Sequence, residues 1–486
     1  MVVALEGNPT NMDPRFATDA YSTRILSCLF SCLVRLDKSG GLVCDLAESW
    51  ETLDDRTYVF RLRPGVRFHD QSPLTSTDVK YTFDFLRDPE NGSPAAGSLA
   101  FLETVEAPDP LTVVFRLREP FAPFLLKLAR GVVPAHLAED REAFLAHPVG
   151  SGPFAFEQFR PGEFVRLARW DGYFGDRGEP APADRVRGAL FRVIANQTTR
   201  MLAAERGDVD LVQNAIPPYA LKFFGRMPQI RVQQEPGVNY QYIGFNLEDP
   251  IVGNLQVRRA IAHALDRERI IRFIWKGQAR PATGLIAPSI WAYEPEVTTY
   301  AYDPDRAREL LDRAGFPDPD GDGPRMRFVL SYKTSTDKLR NEIAEVFVEQ
   351  LRQVGIGVEK RSYEWGTFFS DIKSGNFQMY SLSWVGITDP DILYYIFHSD
   401  SMPPRGANRG RYSNPEVDRL LELSRVTLDQ HERAGIFSRI QKILAEDCVY
   451  VSLWYTDNVV VQKKSLSPFV IYPGGEYLSL AEMRIR

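Results

Sequence analysis

Near the N-terminus, two short runs alternate apolar and polar residues. In "RTYVFRLRPGVRF", the side chains of Tyr58, Phe60 and Leu62 fall on one side of an extended segment, and a second run over residues 113–117 repeats the pattern. A period of two is typical of half-buried β-strands. The two runs therefore predict strands of one small sheet.

The segment between these strands, "LTSTDVKYTFDFL", has the pattern of an amphipathic helix. Thr75 stands three residues before Asp78, which is the spacing of a capping box. A helix flanked by strands indicates a small α+β unit in this part of the chain.

The second half of the chain alternates longer strand and helix patterns. Asp303, Pro304 and Gly315 are placed to cap, begin and end one helix. Further on, "MRFVLSY" reads as a strand, and a second strand begins at residue 356. The helix between these two strands has one apolar side, made by Ile343, Val346, Phe347, Leu351 and Val354. This order is a β-α-β unit, which predicts an α/β domain with parallel pairing.

Composition and charge limit the classes of protein to which this chain can belong. The 486 residues are 44% hydrophobic and 25% charged, with a formal net charge of -6. Such a chain can bury a large core and divides into two or three domains. No run concentrates Lys and Arg, so a nucleic-acid partner is not expected. No stretch approaches 18 uncharged apolar residues, and the first residues lack the features of a signal peptide.

Neither cysteine nor histidine spacing indicates a metal site. Cys28 and Cys32 are four residues apart, unlike a CxxC pair, and Cys44 and Cys448 stand alone. Buried free thiols are the simplest interpretation, although an exported protein leaves room for one disulfide. The six histidines never pair at ligand spacing. We therefore expect no metal and no cofactor.

The sequence also lacks the motifs of common enzyme classes. It contains no GxSxG, P-loop, HExxH or dinucleotide-binding fingerprint, and no nucleophile stands beside a base. A hydrolase would need a catalytic triad assembled by the fold. We expect a protein that is not an enzyme.

Several segments, in their order along the chain, resemble the family 5 extracytoplasmic solute-binding proteins of ABC transporters, the peptide- and nickel-binding group. The segments that carry the resemblance are "LAESWETLDDRTYVFRLRPGVRFHDQSPLTSTDVKYTF", "HPVGSGPFAFEQFRPGEFVRLARWDGYFG", "VRRAIAHALDRERII", "DPDRARELLDRAGF" and "EVFVEQLRQVGIGVE". Together they span most of the chain.

The resemblance implies an α/β, periplasmic-binding-protein-like fold. Two lobes with mixed sheets are joined by a two-segment hinge, and a small α+β domain is inserted. The first lobe is expected over residues 1–40, 150–235 and 456–486, the inserted domain over 41–149 and the second lobe over 236–455. Members of the family close around a ligand between the lobes, a hinge-type transition.

Candidate ligand-binding residues follow from the same resemblance. Trp365 and Trp384 match positions where family members line the cleft with aromatic rings. Tyr240 and Tyr242 stand where the chain enters the second lobe, so they either face the ligand or are buried strand residues. Gly386 either lets a ligand approach the backbone closely or permits a turn.

An acidic residue is expected near Trp384. In the peptide-binding members, an Asp three residues after this Trp pairs with the α-ammonium of the peptide, but Ile387 occupies that position here. Asp389 lies two residues further on and is either a ligand contact or the cap of the helix that follows. Asp391 is expected to stand one residue into that helix and to interact with its positive end.

Basic residues of the loop "PPRGANRGRYSNPEVD" are further candidates. Arg405, Arg409 and Arg411 lie in it. An arginine that faces the ligand takes a carboxylate through two hydrogen bonds, whereas the alternative is a solvated loop. We include Arg405 and Arg409 among the candidate ligand-binding residues.

The resemblance thus implies the substrate-binding component of an ABC importer. It is expected to capture a small solute, with a short peptide favoured, and to meet a membrane ABC permease as a monomer. An oligosaccharide, an opine, a metal chelate and a chemosensory role remain alternatives. The expected location is periplasmic, or extracytoplasmic and membrane-anchored, with an export signal that is absent from this sequence.

Overall fold

The computed structural model describes residues 1–176, 182–321 and 323–486. The chain divides into two compact units. Unit 1 comprises Met1–Glu235 and Asn458–Arg486, and unit 2 comprises Pro236–Asp457. Both boundaries fall inside long β-strands.

Unit 1 is built from strands that form two sheets and a hairpin. The strands are β1 Val2–Leu5, β2 Val34–Leu36, β3 Leu42–Cys44, β4 Ala47–Asp54, β5 Thr57–Leu62, β6 Leu102–Asp109, β7 Thr112–Leu117, β8 Phe154–Arg160, β9 Phe164–Arg169, β10 Gly188–Val193 and β11 Leu211–Gln213, followed by β12 Ile230–Phe245, which continues into unit 2. The helices are α1 Ala20–Leu29, α2 Ser76–Arg87, α3 Phe124–Lys127, α4 Ala135–Ala138, α5 Arg141–Ala146, α6 Gln197–Arg206 and α7 Leu221–Phe224.

Unit 2 alternates helices and strands. Its helices are α8 Leu255–Ala264, α9 Arg267–Phe273, α10 Pro304–Arg313, α11 Lys338–Arg352, α12 Trp365–Ser374, α13 Ile392–Phe397, α14 Pro415–Val426 and α15 Gln430–Glu446. Its strands are β13 Ala279–Pro281, β14 Phe328–Ser335, β15 Ile356–Tyr363, β16 Met379–Trp384 and β17 Tyr450–Lys463, which returns to unit 1.

The large sheet of unit 1 has the order β8-β9-β10-β1-β11-β17. Strand β1 is parallel to both of its neighbours, while the other pairs are antiparallel. A separate antiparallel sheet, β4-β5-β7-β6, contains both predicted strands. Tyr58, Phe60 and Leu62 are buried, as their alternation predicts. The predicted capping box of Thr75 and Asp78 begins α2.

In unit 2 the strand order is β15-β14-β16-β12-β17. Strand β14 runs parallel to β15 and to β16, and α11 connects β14 to β15. This is the predicted β-α-β unit, so the mixed α/β class is confirmed. Asp303 caps α10, with Pro304 as its first residue. The predicted limits of the inserted domain, at residues 41 and 149, stay a prediction.

The carboxylate of Asp45 is buried in unit 1. Asp45 Oδ2 accepts the backbone N–H of Cys32 at 2.8 Å, and Asp45 Oδ1 lies 3.6 Å from Arg35 Nε. Burial nevertheless raises the pKa of Asp45 to about 6, because desolvation of the carboxylate outweighs these contacts.

The imidazole of His69 is half-buried and is held between two backbone groups. Its Nδ1 accepts the N–H of Gly150 at 3.2 Å, and its Nε2 lies 3.0 Å from the carbonyl oxygen of Gly152. This arrangement fits the neutral ring with its proton on Nε2. Burial lowers the pKa of His69 to about 4.

All four cysteines are free thiols. Cys28 and Cys448 are buried, while Cys32 and Cys44 are half-buried. Burial raises the pKa of Cys28 to about 12, as expected for an apolar site. None of the helices in the described ranges is long and apolar enough to cross a membrane.

Candidate functional site

The strands of unit 2 bring several predicted residues to one edge of its sheet. Because β14, β15 and β16 are parallel, their carboxyl ends meet at this edge. Trp384 ends β16, and Trp365 begins the helix that follows β15. In open α/β sheets, ligands bind outside the carboxyl ends of parallel strands. The edge is therefore the place to look for a ligand site.

Two helices begin at the same edge. Asp337 caps α11 through the N–H of Arg340, and Glu364 caps α12 through the N–H of Gly366. Each carboxylate satisfies a helix N-terminus, and the caps fix where the first side chains of both helices lie. Arg340 and Trp365 are among those side chains.

At the edge, aromatic rings and guanidinium groups are layered. We call Arg340, Trp365, Phe369, Arg409 and Trp384 the aromatic–arginine stack. The rings of Trp365 and Phe369 are 5.4 Å apart and inclined by 9°. The guanidinium carbon of Arg409 lies 5.1 Å from the Phe369 ring centre and 4.8 Å from that of Trp384. Arg340 lies 5.8 Å from the ring of Trp365.

The stack combines an apolar surface with positive charge. Trp365 is 47% exposed, and Trp384 is half-buried. A guanidinium over an aromatic face gains about 0.5–1 kcal/mol where water reaches it and more where it does not. The stack can therefore pack against an apolar group while the arginines offer N–H donors to an anion.

The guanidinium of Arg409 is hydrogen-bonded to one of a group of packed tyrosines. Its Nη1 donates to the hydroxyl of Tyr242 at 3.3 Å. The Tyr242 ring stacks on those of Tyr240 and Tyr450, with centroid distances of 5.6 and 4.1 Å. The hydroxyls of Tyr240 and Ser452 are 2.7 Å apart. These contacts fix the orientation of the guanidinium.

Tyr240 and Tyr242 are buried side chains of β12. They are 1% and 0% exposed. The structure therefore matches the buried strand residue, because cross-strand packing from β12 to β16 and β17 covers both rings. Tyr242 supports Arg409 through its hydroxyl, and a ligand contact by either tyrosine stays a prediction.

Gly386 has the conformation of a turn. Its φ is +68°, which favours glycine, and its N–H donates to Asn239 Oδ1 at 3.0 Å. The N–H is thus already used within the protein. Gly386 turns the chain directly after Trp384.

The cap of the helix after Trp384 lies at a different residue from the one predicted. Helix α13 begins at Ile392 with Asp391 as its N-cap residue, so the prediction that Asp389 is the cap needs correction. Asp389 Oδ1 instead accepts the N–H of Asp391 at 2.9 Å, closing a local turn. The carboxylate of Asp391 is buried and lies 2.7 and 3.3 Å from Nε and Nη2 of Arg425. A ligand contact by Asp389 stays a prediction.

The three arginines of the loop have different surroundings. Arg409 enters the stack, whereas Arg411 pairs with Glu248 at 3.2 Å. Arg405 is exposed, and its backbone N–H donates to the carbonyl of Met402. The structure thus brings together Trp365, Trp384 and Arg409 and leaves Arg405 outside the stack.

Two members of the stack were not predicted from the sequence. Phe369 follows Trp365 by four residues, and Arg340 continues the apolar side of α11 three residues before Ile343. A cation on an otherwise apolar helix side is a signal that points to a partner at the helix end. The i, i+4 aromatic pair is a second such signal.

An ion pair between β14 and α12 holds this helix against the sheet. Lys333 Nζ, on β14, lies 2.7 Å from Asp371 Oδ2, on α12, and the lysine side chain is 6% exposed. This contact holds the helix that carries Trp365 and Phe369. Across the described ranges, no group of three His, Cys, Asp or Glu residues could hold a metal ion.

Comparison with known proteins identifies the family. The sequence profile of the bacterial extracellular solute-binding proteins, family 5 Middle, matches residues 41–403. The oligopeptide-binding protein AppA of Bacillus subtilis is 29% identical over 97% of this chain and 89% of its own length. The glutathione-binding protein GsiB of Escherichia coli K12 is 29% identical over 97% of this chain and 92% of its own.

Solved structures agree with these relatives. The structure of B. subtilis AppA in complex with a nonapeptide matches with a TM-score of 0.87 and 26% identity, covering 100% of this chain and 98% of AppA. The ABC transporter-associated periplasmic binding protein DppA of Helicobacter pylori, in complex with the peptide STSA, matches with a TM-score of 0.85 and 26% identity, again over 100% and 98%. The periplasmic-binding-protein-like fold is therefore confirmed. The chain belongs to the family 5 bacterial extracellular solute-binding proteins.

Proposed function

We propose that this protein is the substrate-binding component of an ABC importer and that its solute is a short peptide. The observation that carries the proposal is the aromatic–arginine stack at the carboxyl edge of the unit 2 sheet. AppA and GsiB, which bind an oligopeptide and glutathione by name, support the peptide class. The protein acts by binding and not by catalysis.

Each residue of the stack has a chemical task in this proposal. The indoles of Trp365 and Trp384 pack against apolar parts of the peptide, where aromatic groups supply large contact areas. Arg409 receives a peptide carboxylate, because Tyr242 uses only part of its set of N–H donors. Asp389 is the candidate partner of the peptide ammonium.

The importer context completes the proposal. The protein works as a monomer, closes around its ligand by hinge motion and presents the closed form to a membrane permease. It takes no nucleic acid, in keeping with its net charge of -6. It acts outside the cytoplasm.

Thermal melting tests the proposal. The protein is unfolded and refolded to remove carried-over solute and then melted with di- to pentapeptides, oligosaccharides, opines or nickel chelates. A ligand at 100 times its Kd adds about 2.7 kcal/mol to the free energy of unfolding. We expect peptides alone to raise Tm, and N-acetylation to reduce the effect if Asp389 binds the ammonium. A rise with sugars, opines or chelates alone would refute the peptide class.

A further inference from the structure

We infer that the peptide taken by this site is acidic and binds through two carboxylates on different residues, one at Arg409 and one at Arg340. The inference rests on the proposed function and narrows its substrate class. The evidence for it is the arrangement of charged groups around the aromatic–arginine stack.

Arg340 and Arg409 contact different rings of the aromatic–arginine stack. Among the cation–ring contacts of the described ranges, Arg340 contacts Trp365, while Arg409 contacts Phe369 and Trp384. The rings of Trp365 and Phe369 are 5.4 Å apart and parallel within 9°. Each guanidinium has its own ring contacts and can receive its own carboxylate.

Neither arginine forms an ion pair with a carboxylate in the part of the chain that the structure describes. The neighbouring cations differ in this respect. Lys333 pairs with Asp371, and Arg411 pairs with Glu248. The stack therefore contains two positive charges that lack an acidic partner among the described residues.

The acidic groups beside the stack are already engaged. Asp337 and Glu364 accept the N–H groups that begin α11 and α12, and Asp371 accepts from Lys333. Asp337 and Glu364 offset the positive ends of these two helices, so the positive charge left for a ligand at this edge is that of Arg340 and Arg409. Because part of the stack is shielded from water, an attached carboxylate interacts more strongly than it would on an open surface.

Ligand chemistry follows from this arrangement. A carboxylate accepts two parallel N–H bonds from a guanidinium, and two such groups on different residues can use both arginines at once. Two acidic side chains of the peptide supply these groups. The peptide backbone between them packs on the rings of Trp365 and Phe369.

Two tripeptides of equal size but different charge test whether the site prefers carboxylates. We propose to measure the Kd of Glu-Gly-Glu and of Gln-Gly-Gln by calorimetry at low and high salt. The acidic peptide is expected to bind at least about tenfold more tightly, the gain of a hydrogen-bonded charge pair, and to lose this advantage as salt is added.

Variants of Arg340 and Arg409 test whether these two residues cause the preference for the acidic peptide. Arg340→Gln and Arg409→Gln should each reduce the preference for Glu-Gly-Glu, and the double variant should remove it. Arg352→Gln is the matched control, because Arg352 lies on α11 as Arg340 does but is exposed and pairs with Glu349. If Arg409→Gln fails to fold, Arg409→Lys keeps the charge and loses the two-bond geometry, so an intermediate preference is expected.

The outcomes distinguish the two proposals. Equal binding of the Glu and Gln peptides would overturn the acidic preference and leave the peptide function standing. Retention of the preference in the double variant would overturn the role of these arginines. A lack of binding by every peptide, whatever its charge, would overturn the proposed function itself.

Discussion

The guanidinium of Arg409 lies over the indole of Trp384, 4.8 Å from its ring centre, although 24 residues separate them along the chain. Tyr242, on a third segment, accepts a hydrogen bond from the guanidinium through its hydroxyl. Three distant parts of unit 2 thus meet in one candidate binding surface, and each can be tested separately.

Removing the indole of Trp384 should weaken peptide binding while the fold stays intact. A large aromatic contact at the centre of an interface is worth about 2 kcal/mol or more when truncated to Ala. Calorimetry of Trp384→Ala measures the loss, and circular dichroism checks the fold. Trp291→Ala is the control, because this 37% exposed Trp packs on Phe437 away from the stack. Unchanged affinity in Trp384→Ala would remove the residue from the site.

Breaking the ion pair between Lys333 and Asp371 should destabilise unit 2 and displace α12. Asp371→Asn leaves a lysine that is 6% exposed without its carboxylate, and such an uncompensated buried charge costs about 3 kcal/mol or more. Thermal melting gives the stability, and peptide affinity reports on the position of Trp365. Lys338→Met, which removes an exposed partner of Glu342, should change neither. Equal Tm values for Asp371→Asn and the parent would contradict the structural role.

Asp45 should make unit 1 more stable as the pH falls. Its folded pKa of about 6 lies above the ordinary value of 3.8, so the folded protein binds more protons than the unfolded chain between these values. Asp45→Asn imitates the protonated carboxyl and should raise stability at pH 7.5 by on the order of 1–2 kcal/mol, with little effect below pH 4. Melting at both pH values tests this. Asp55→Asn, at an exposed site, is the control, and a pH-independent difference would refute the assignment.

His69 should have the opposite dependence. Its folded pKa of about 4 is below the ordinary 6.5, so its contribution is complete above pH 6.5 and is lost as the pH falls toward 4. Protonation would also end the hydrogen bond that Nδ1 accepts from Gly150. Histidine NMR titration measures this midpoint, with His69→Gln for assignment and the exposed His136 for comparison. A midpoint near 6.5 for His69 would show that the ring is open to water.

Local patterns along the chain predicted the elements but not the composition of the site. The caps at Thr75 and Asp303 depend on neighbours in sequence, and both are formed. The meeting of Trp365 with Arg409 depends on the order of strands, which periodicity does not encode. The helix after Asp389 starts later than its pattern suggests, because the Asp389 side chain first closes a turn.

Tyr240 and Tyr242 illustrate a related limit. Alternation shows that both rings share one side of β12, but it does not show whether that side meets solvent or another layer. The neighbouring strands and their tyrosines cover it. The sequence therefore predicts that both rings share one side of the strand and leaves their task open.

The exposure of Trp365 gives the protein a built-in optical reporter. Its indole is 47% exposed and lies against Phe369, so a bound peptide that covers it replaces water with an apolar contact. Indole emission moves to shorter wavelength when water leaves the ring. If the peptide binds as proposed, occupancy of the site can be followed without a label, and Trp365→Phe should reduce the signal to the part that Trp384 supplies while a ring remains in place to receive the peptide.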